Sequence, residues 1–308
     1  MLEFSVIVPV YNSKDTLEEL YNMIAVFFDE KVTSFEVIFI DDCSNDNSWD
    51  VIMDIQQNHK NITGIKLSKN SGQHQATSCG ITHAQGNFII TIDDDLQIHP
   101  SEIEKLLATQ RKTKADVVYG IYPQKKHSFI RNWGSLLFEK IFKKYAQTIS
   151  KGSSFKLIKA DIAHKVASHN IKHLYIDEII NWYTQNIVTV EVEHHPRQYG
   201  KSGYTLLGLI FMSLNYIINY TILPLRIMTY VGFFSSLVSA IIGIYFIFCK
   251  IFYYTSLGFT ALIVTIFFST SVLLFCFGII GEYIRRLFDV SYNRPTYNIE
   301  KVVKGEKA

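Results

Sequence analysis

Hydrophobic residues fall along this chain in two patterns, and the change between them marks its main division. Through residue 201, short apolar runs alternate with amphipathic stretches. Phe4 to Val8, closed by Pro9-Val-Tyr-Asn12, predicts a first strand, and Ser13 or Asp15 could cap a helix from Thr16 to Phe28. Phe35 to Ile40 predicts a second strand, followed by a helix with Trp49, Ile52 and Ile55 on one face. Ile62 to Leu67 predicts a third, leading through Ser68-Lys-Asn-Ser-Gly-Gln73 into a small-residue helix from His74 to Ala84. Phe88 to Ile92 predicts a fourth. Asp116 to Gly120, Gly152 to Ile158 and Val188 to Val192 add further strands, with helices around His164 and Val166 and from Tyr175 to Trp182. Strands alternating with helices argue for βαβ units and an α/β fold with a mostly parallel, buried sheet.

Beyond residue 201 the pattern changes to long apolar runs. Ile227 to Cys249 holds no charged residue, nor does Ile251 to Gly281, and Lys250 separates them. Each is long enough for a bilayer core of ~30 Å, which takes about 20 residues. Arg226 precedes the first run, and Arg285, Arg286, Arg294, Lys301, Lys304 and Lys307 follow the second. That asymmetry places the first domain and the tail on the cytoplasmic side and calls for an even number of crossings. The expected organisation is a catalytic domain over 1–201, an interfacial helix over 202–226, two transmembrane helices within 227–281 (about 227–249 and 258–281), and a cytoplasmic tail over 282–308. No signal-peptide pattern precedes the first strand, which leads to the same expectation for the N-terminus.

Composition narrows the chemistry. A formal net charge of +2 gives no whole-chain argument for nucleic acid as a partner. Cys43, Cys79, Cys249 and Cys276 share no metal-ligand spacing and read as reduced thiols. There is no Gly-x-Gly-x-x-Gly and no Gly-Lys-Ser/Thr loop, which counts against a dinucleotide fold and a P-loop enzyme.

The densest chemistry stands after the fourth strand, where Asp93, Asp94 and Asp95 are followed by Gln97. On an extended backbone Asp93, Asp95 and Gln97 point to one side, three oxygen ligands suited to Mg2+ or Mn2+. An acidic loop with a helix cap accounts for one Asp, whereas three at a strand mouth repel one another without a cation. Asp41 and Asp42 end the second strand and could bind a nucleobase or ribose; a turn or cap role explains that pair equally well.

A basic stretch runs from Gln124 to Lys151, with Trp133, Leu136, Leu137, Ile141 and Phe142 at helical spacing. It fits an amphipathic helix at an anionic membrane surface, or an ordinary solvated helix with one packed side. Arg131 and Ser135 would share its face as a phosphate clamp. Further on, Arg197, Lys201 and Ser202 could hold a phosphate. Asp177 and Glu178 open a helix, where they either complement its dipole or face a sugar site. His194 and His195 could ligate metal, but neighbours on a strand point to opposite faces.

Ser5-Val-Ile-Val-Pro-Val-Tyr-Asn12, Asp41-Asp-Cys-Ser-Asn-Asp46, Leu67-Ser-Lys-Asn-Ser-Gly-Gln73 and Asp93-Asp-Asp-Leu-Gln97 together resemble the motif series of family 2 glycosyltransferases. Gly281-Glu-Tyr-Ile-Arg-Arg-Leu-Phe288 and Asn293-Arg-Pro-Thr-Tyr297 narrow the resemblance to the polyprenyl-phosphate glycosyltransferases, the dolichol-phosphate mannose synthase and bactoprenol glucosyltransferase group. The resemblance implies a GT-A, Rossmann-like fold with helices on both faces of the sheet. It implies a nucleotide-sugar donor held by Pro9, Tyr11, Asn12, Asp41, Asp42, Gln73, Asp93 and Asp94, with Asp42 on the base. Metal and diphosphate would sit on Asp93, Asp95 and Gln97, and the lipid phosphate on Arg131, Ser135, Arg197, Lys201 and Ser202. Asp93 and Asp95 are the catalytic candidates, joined by Asp177 and Glu178 where a base is needed. Cys43 replaces the usual Gly after the paired aspartates, and Ser71 the aromatic often found before Gly72.

The implied reaction is metal-dependent, inverting transfer of glucose or a related hexose to undecaprenyl phosphate at the bacterial cytoplasmic membrane. A homo-oligomer (a tetramer by the resemblance) and a flippase partner are expected with it. Two readings compete: a family 2 enzyme acting on a glycan or protein hydroxyl, and an inactive membrane scaffold. A Gln-x-x-Arg-Trp element, usual in processive synthases, is not present.

Overall fold

The computed structural model describes residues 2–122, 153–169, 175–195, 223–253, 259–291 and 295–305. The chain forms two compact units, one of Met1–Gly203 with Pro295–Ala308 and one of Tyr204–Arg294.

The first unit is built on an eight-stranded sheet in the order β7-β5-β6-β4-β1-β2-β3-β8. Its strands are β1 (Phe4–Val10), β2 (Phe35–Asp41), β3 (Ile62–Leu67), β4 (Phe88–Thr91), β5 (Val117–Ile121), β6 (Lys156–Lys159), β7 (Ile187–Glu191) and β8 (Ile299–Lys304). β1 lies between β2 and β4, parallel to both, and all seven of its residues are buried. That is why its apolar run is continuous: a central parallel strand is covered on both faces. β6 and β8 run antiparallel to their neighbours, so the sheet is mixed rather than wholly parallel.

Helices cover both faces. α1 (Leu17–Asp29), α2 (Ser48–Asn58) and α4 (Ile103–Thr113) pack Leu20, Ile24, Phe28, Ile52 and Leu106 against one side. α3 (Gln73–His83), α5 (Ala160–Ala167) and α6 (Ile176–Tyr183) pack Ala76, Cys79, Ala163, Val166 and Ile179 against the other. Phe28, Phe39 and Phe155 are fully buried, each contributing roughly 1.5–3 kcal/mol of transfer free energy. The small residues of α3 let it lie close to the sheet: a Cβ on Gly80 would stand 2.6 Å from both Ile7 and Ile40.

Polar residues inside this core are paired at the contact of β1 with β2. The Ser5 hydroxyl donates to Glu36 Oε1 at 2.6 Å and accepts from the Gly86 N–H at 2.8 Å. Such pairing removes the cost of a buried polar group. Cys43, Cys79 and Cys276 are free thiols.

Within the tail expected over 282–308, residues 299–304 form a strand, β8, which pairs with β3 from Thr63↔Lys304 to Leu67↔Ile299. The final strand thus belongs to the same sheet as the first.

The second unit contains α7 (Leu223–Tyr253, 31 residues) and α8 (Phe259–Ser291, 33 residues). Ile244, Ile251, Phe252, Leu274 and Leu287 are exposed on them. Counting only the described residues, no helix is long and apolar enough to cross a membrane.

Candidate active site

The parallel strands β1, β2 and β4 end at one edge of the sheet, and a cavity of about 270 Å³ opens there. Pro9, Val10, Tyr11, Asp42, Asn70, Gly72, Gln73, Asp93, Asp94 and Asp95 line it. The carboxyl end of an open α/β sheet is where ligands bind, because the loops there diverge and leave a crevice.

One wall is the loop from Ser68 to Gly72. Asp42 accepts the N–H groups of Ser71 at 2.7 Å and Gly72 at 2.8 Å, one on each carboxylate oxygen. Gly72 has φ +87°, a backbone that its missing Cβ permits, and it caps the N-terminus of α3. Burial raises the Asp42 pKa, while these two N–H groups favour the charged form. Asp41 turns the other way. It is fully buried, accepts from the Ser44 N–H at 3.1 Å, and among the described residues its Oδ2 has no hydrogen-bond partner; burial raises its pKa too. Asp42 therefore faces the cavity, and Asp41 builds the turn beneath it. Asn12 stands beside the cavity, bracing the same turn by accepting from the Asn45 N–H at 2.8 Å. Cys43, where the resemblance has a Gly, takes φ +61°, the left-handed conformation a glycine adopts freely.

The opposite wall is the aspartate run. It does not continue as a strand: the chain turns after β4, and Leu96 has φ +57°. The alternation expected of an extended backbone is lost, and all three aspartates reach the cavity instead. Asp93 is held on both oxygens, by Gln73 Nε2 on Oδ1 and Ser154 Oγ on Oδ2, each at 2.5 Å. Asp94 accepts the Tyr11 N–H at 3.1 Å, and its carbonyl accepts from the Thr16 hydroxyl at 2.6 Å, tying this turn to the end of β1. Asp95 accepts from the Gln97 N–H at 3.2 Å. Gln97 exchanges further bonds with His195, its carbonyl accepting the His195 N–H at 2.8 Å. Burial first, then the charges of Asp93 and Asp95, push Asp94 up to about 6. The three carboxylates thus share one crevice, where their negative charges repel one another.

Among the described residues no three His, Cys, Asp or Glu side chains could hold a metal by themselves.

The comparisons with known proteins bear on this geometry. The family model for glycosyl transferase family 2 matches residues 5–166, the stretch that supplies every cavity-lining residue. The chain belongs to that family. As a family 2 glycosyltransferase it is an enzyme of nucleotide-sugar chemistry. It is 27% identical over 98% of its length to the undecaprenyl-phosphate 4-deoxy-4-formamido-L-arabinose transferase of Shewanella sediminis, covering 93% of that protein. With the corresponding transferase of Proteus mirabilis it shares 29% identity over 98% of this chain and 94% of the relative. Mannosyl-3-phosphoglycerate synthase from Rubrobacter xylanophilus aligns in structure over 70% of this chain and 72% of its own, with a TM-score of 0.52 at 14% identity. That likeness speaks for the GT-A-like fold alone.

Other residues singled out from the sequence of this glycosyltransferase fall elsewhere. Asp177 is at the start of α6, paired with the buried Lys156, and accepts from the Tyr119 hydroxyl at 3.0 Å. Neither Asp177 nor Glu178 lines the cavity. Arg131, Ser135, Arg197, Lys201 and Ser202 lie outside the described residues, as does the basic stretch 124–151. The His194 ring packs on Tyr122 with centroids 4.4 Å apart. Tyr122 follows β5, and its pKa is raised by burial and then by the charges of Asp93 and Asp95. Ser154 and Tyr122 escaped sequence reasoning. A lone Ser before a short strand and a lone Tyr after one carry no signal until β5 and β6 are seen to flank β4.

Proposed function

We propose that this glycosyltransferase moves a hexose from a nucleotide-sugar to a polyprenyl phosphate at the cytoplasmic face of a membrane, with inversion at the anomeric carbon. The observation that carries the reading is the extent of the similarity to undecaprenyl-phosphate transferases. It continues past the family domain, through both long helices, to the tail.

In this reading the base and ribose of the donor lie between Pro9, Tyr11 and Asp42, with the diphosphate toward Asp93 and Asp95. Asp93, Asp95 and Gln97 would hold Mg2+ or Mn2+. The ion, when bound, neutralises charge as the nucleoside diphosphate departs. Gln73 and Ser154 donate to both oxygens of Asp93 and fix its rotamer, so the site is set before the donor arrives. An acceptor phosphate is already anionic near neutral pH and needs no strong general base. A sugar or protein hydroxyl would need one, and Asp177 is engaged by Lys156 instead. That pairing favours the phosphate acceptor over the hydroxyl acceptor.

The membrane part of the proposal draws on the uncharged runs in α7 and α8 and on their exposed Ile, Leu and Phe side chains. β8 adds a topological argument. The chain after α8 returns to the sheet that begins with β1, so the residues between cross an even number of times or not at all. In this reading α7 and α8 would supply the two crossings; most of the interfacial helix expected over 202–226 lies outside the described residues. Self-association and delivery of the product to a flippase belong to the same reading and rest on the resemblance.

The test is product formation by the purified full chain in detergent, given undecaprenyl phosphate and, in turn, UDP-glucose, UDP-GlcNAc and GDP-mannose. A glycolipid with one of these donors is expected. Donor turnover only when a glycan or protein hydroxyl is supplied would contradict the acceptor class.

A further inference from the structure

The segment after α8 does more than close the sheet. β3 and β8 pair through Ile65↔Val302 and Lys66↔Lys301, then shift register between Lys66 and Leu67. Beyond that irregularity Asn298 grips Ser68 at two points. Its carbonyl accepts the Ser68 N–H at 2.9 Å, and its side-chain amide donates to the Ser68 hydroxyl at 3.1 Å. One residue earlier, Tyr297 packs on the apolar cluster under α3, and its hydroxyl meets the side chains of Cys79 and Thr82. At the other end the Gly305 N–H donates to the Ile62 carbonyl at 3.1 Å.

Ser68 opens the loop that ends at Gly72. From it the chain runs through Asn70, which lines the cavity, to the Ser71 and Gly72 N–H groups that hold Asp42. Gln73, the next residue, grips Asp93. Asn298 thus fixes one end of the loop that sets both the Asp42 carboxylate and the partner of Asp93. A short exposed edge pairing would suffice to protect β3. The side-chain bond at Ser68 and the anchoring of Tyr297 on α3 add nothing to that protection, but they do fix the loop.

We propose that residues 295–305 are part of the donor-binding apparatus, with Asn298 and Tyr297 as positioning residues that hold the Ser68–Gly72 loop in register with Asp42. This rests on the donor reading above. It gives the Pro-Thr-Tyr-Asn sequence after the last helix a role at the nucleotide end of the cavity.

The experiment uses the full chain in detergent and compares wild type with Asn298→Ala, Tyr297→Phe and Ser68→Ala. Donor KM, acceptor KM and kcat are measured, with UDP and GDP affinities by calorimetry and the unfolding midpoint of each variant. Loss of one hydrogen bond in the relay should raise donor KM and nucleoside diphosphate Kd about three- to ten-fold. The acceptor KM, kcat and unfolding midpoint should stay close to wild type. Asn298→Ala combined with Ser68→Ala should be no worse than either alone, because both remove the same bond. Unchanged donor KM in Asn298→Ala and Tyr297→Phe would overturn the proposal, and so would a fall in unfolding midpoint with KM and kcat moving together. A wild-type protein that binds neither UDP nor GDP would instead defeat the donor reading itself, and this inference with it.

Discussion

Lys156 and Asp177 form an ion pair between β6 and α6, and the lysine is only 3% exposed. The Tyr119 hydroxyl donates to the same Asp177 oxygen, and the Lys156 ammonium lies 5.4 Å from the Tyr119 ring centroid. An aspartate so engaged is a structural anchor for the start of α6. Asp177→Asn should lower the unfolding free energy by about 2–4 kcal/mol, because it strands a buried ammonium. Its kcat per folded molecule should stay near wild type. A variant with normal unfolding and a hundredfold lower kcat would make Asp177 a base and favour the hydroxyl-acceptor chemistry.

His74 sits beside this pair, its ring 5.2 Å from that of Tyr175. Burial first, then the charge of Lys156, lower its pKa to about 4, against an opposing pull from Asp177. A histidine whose pKa is depressed in the folded state binds its proton more readily when unfolded. Stability from His74 is therefore complete above pH ~6.5 and is lost as pH falls toward 4, by on the order of 3 kcal/mol. Asp94, raised to about 6, acts in the opposite sense over much the same window, so the comparison must be a difference. The unfolding midpoint of wild type minus that of His74→Gln should rise between pH 4 and 6.5. A flat difference would contradict the assignment.

Asp42 has two duties, since the oxygens that hold the Ser71 and Gly72 N–H groups also face the cavity. Asp42→Asn keeps the size but can accept on only one atom. Donor KM should rise about 10- to 100-fold, with a much smaller change in kcat, as expected for loss of a charge-assisted contact. Initial-rate kinetics over a donor titration would show it. An unchanged KM would remove Asp42 from donor recognition.

Val32 follows α1 with φ +52° while 94% exposed, and its N–H donates to the Asp29 carbonyl at 3.1 Å. A β-branched residue gains nothing at such a helix end, where glycine is the usual occupant. Val32→Gly should stabilise the protein by about 1 kcal/mol and raise the unfolding midpoint by a few degrees, with kinetics untouched. A lower midpoint would show that the valine makes compensating contacts.

What could be read from the sequence depended on whether the signal was local. The continuous apolar run in β1 and the small residues of α3 both report burial through their own side chains, and both elements stand where expected to within two residues. Asp42 and the aspartate run were legible because acidic residues at strand ends are conspicuous, and Gln73 through the family resemblance alone. The course of the chain through that run was not, since Leu96 gives no hint of a left-handed turn. Nor was the Asp177 partner, because Lys156 reaches it only through the antiparallel pairing of β6 with β4 and β5. β8 was hidden by composition: Ile299-Glu-Lys-Val-Val-Lys304 carries three charges in six residues, as edge strands often do, and so resembles a solvated basic tail.

The proposed function requires the Asp93–Asp95 cluster to work with a divalent cation as a sugar moves onto a lipid phosphate. The most direct measurement is glycolipid formation by wild type and Asp95→Ala, with undecaprenyl phosphate and the preferred donor, as Mn2+ or Mg2+ is titrated after EDTA treatment. Wild type should form product only as the metal is restored, and Asp95→Ala should fall by a factor of about a hundred or more at every metal concentration. Full activity in EDTA, or a variant as active as wild type, would contradict the account.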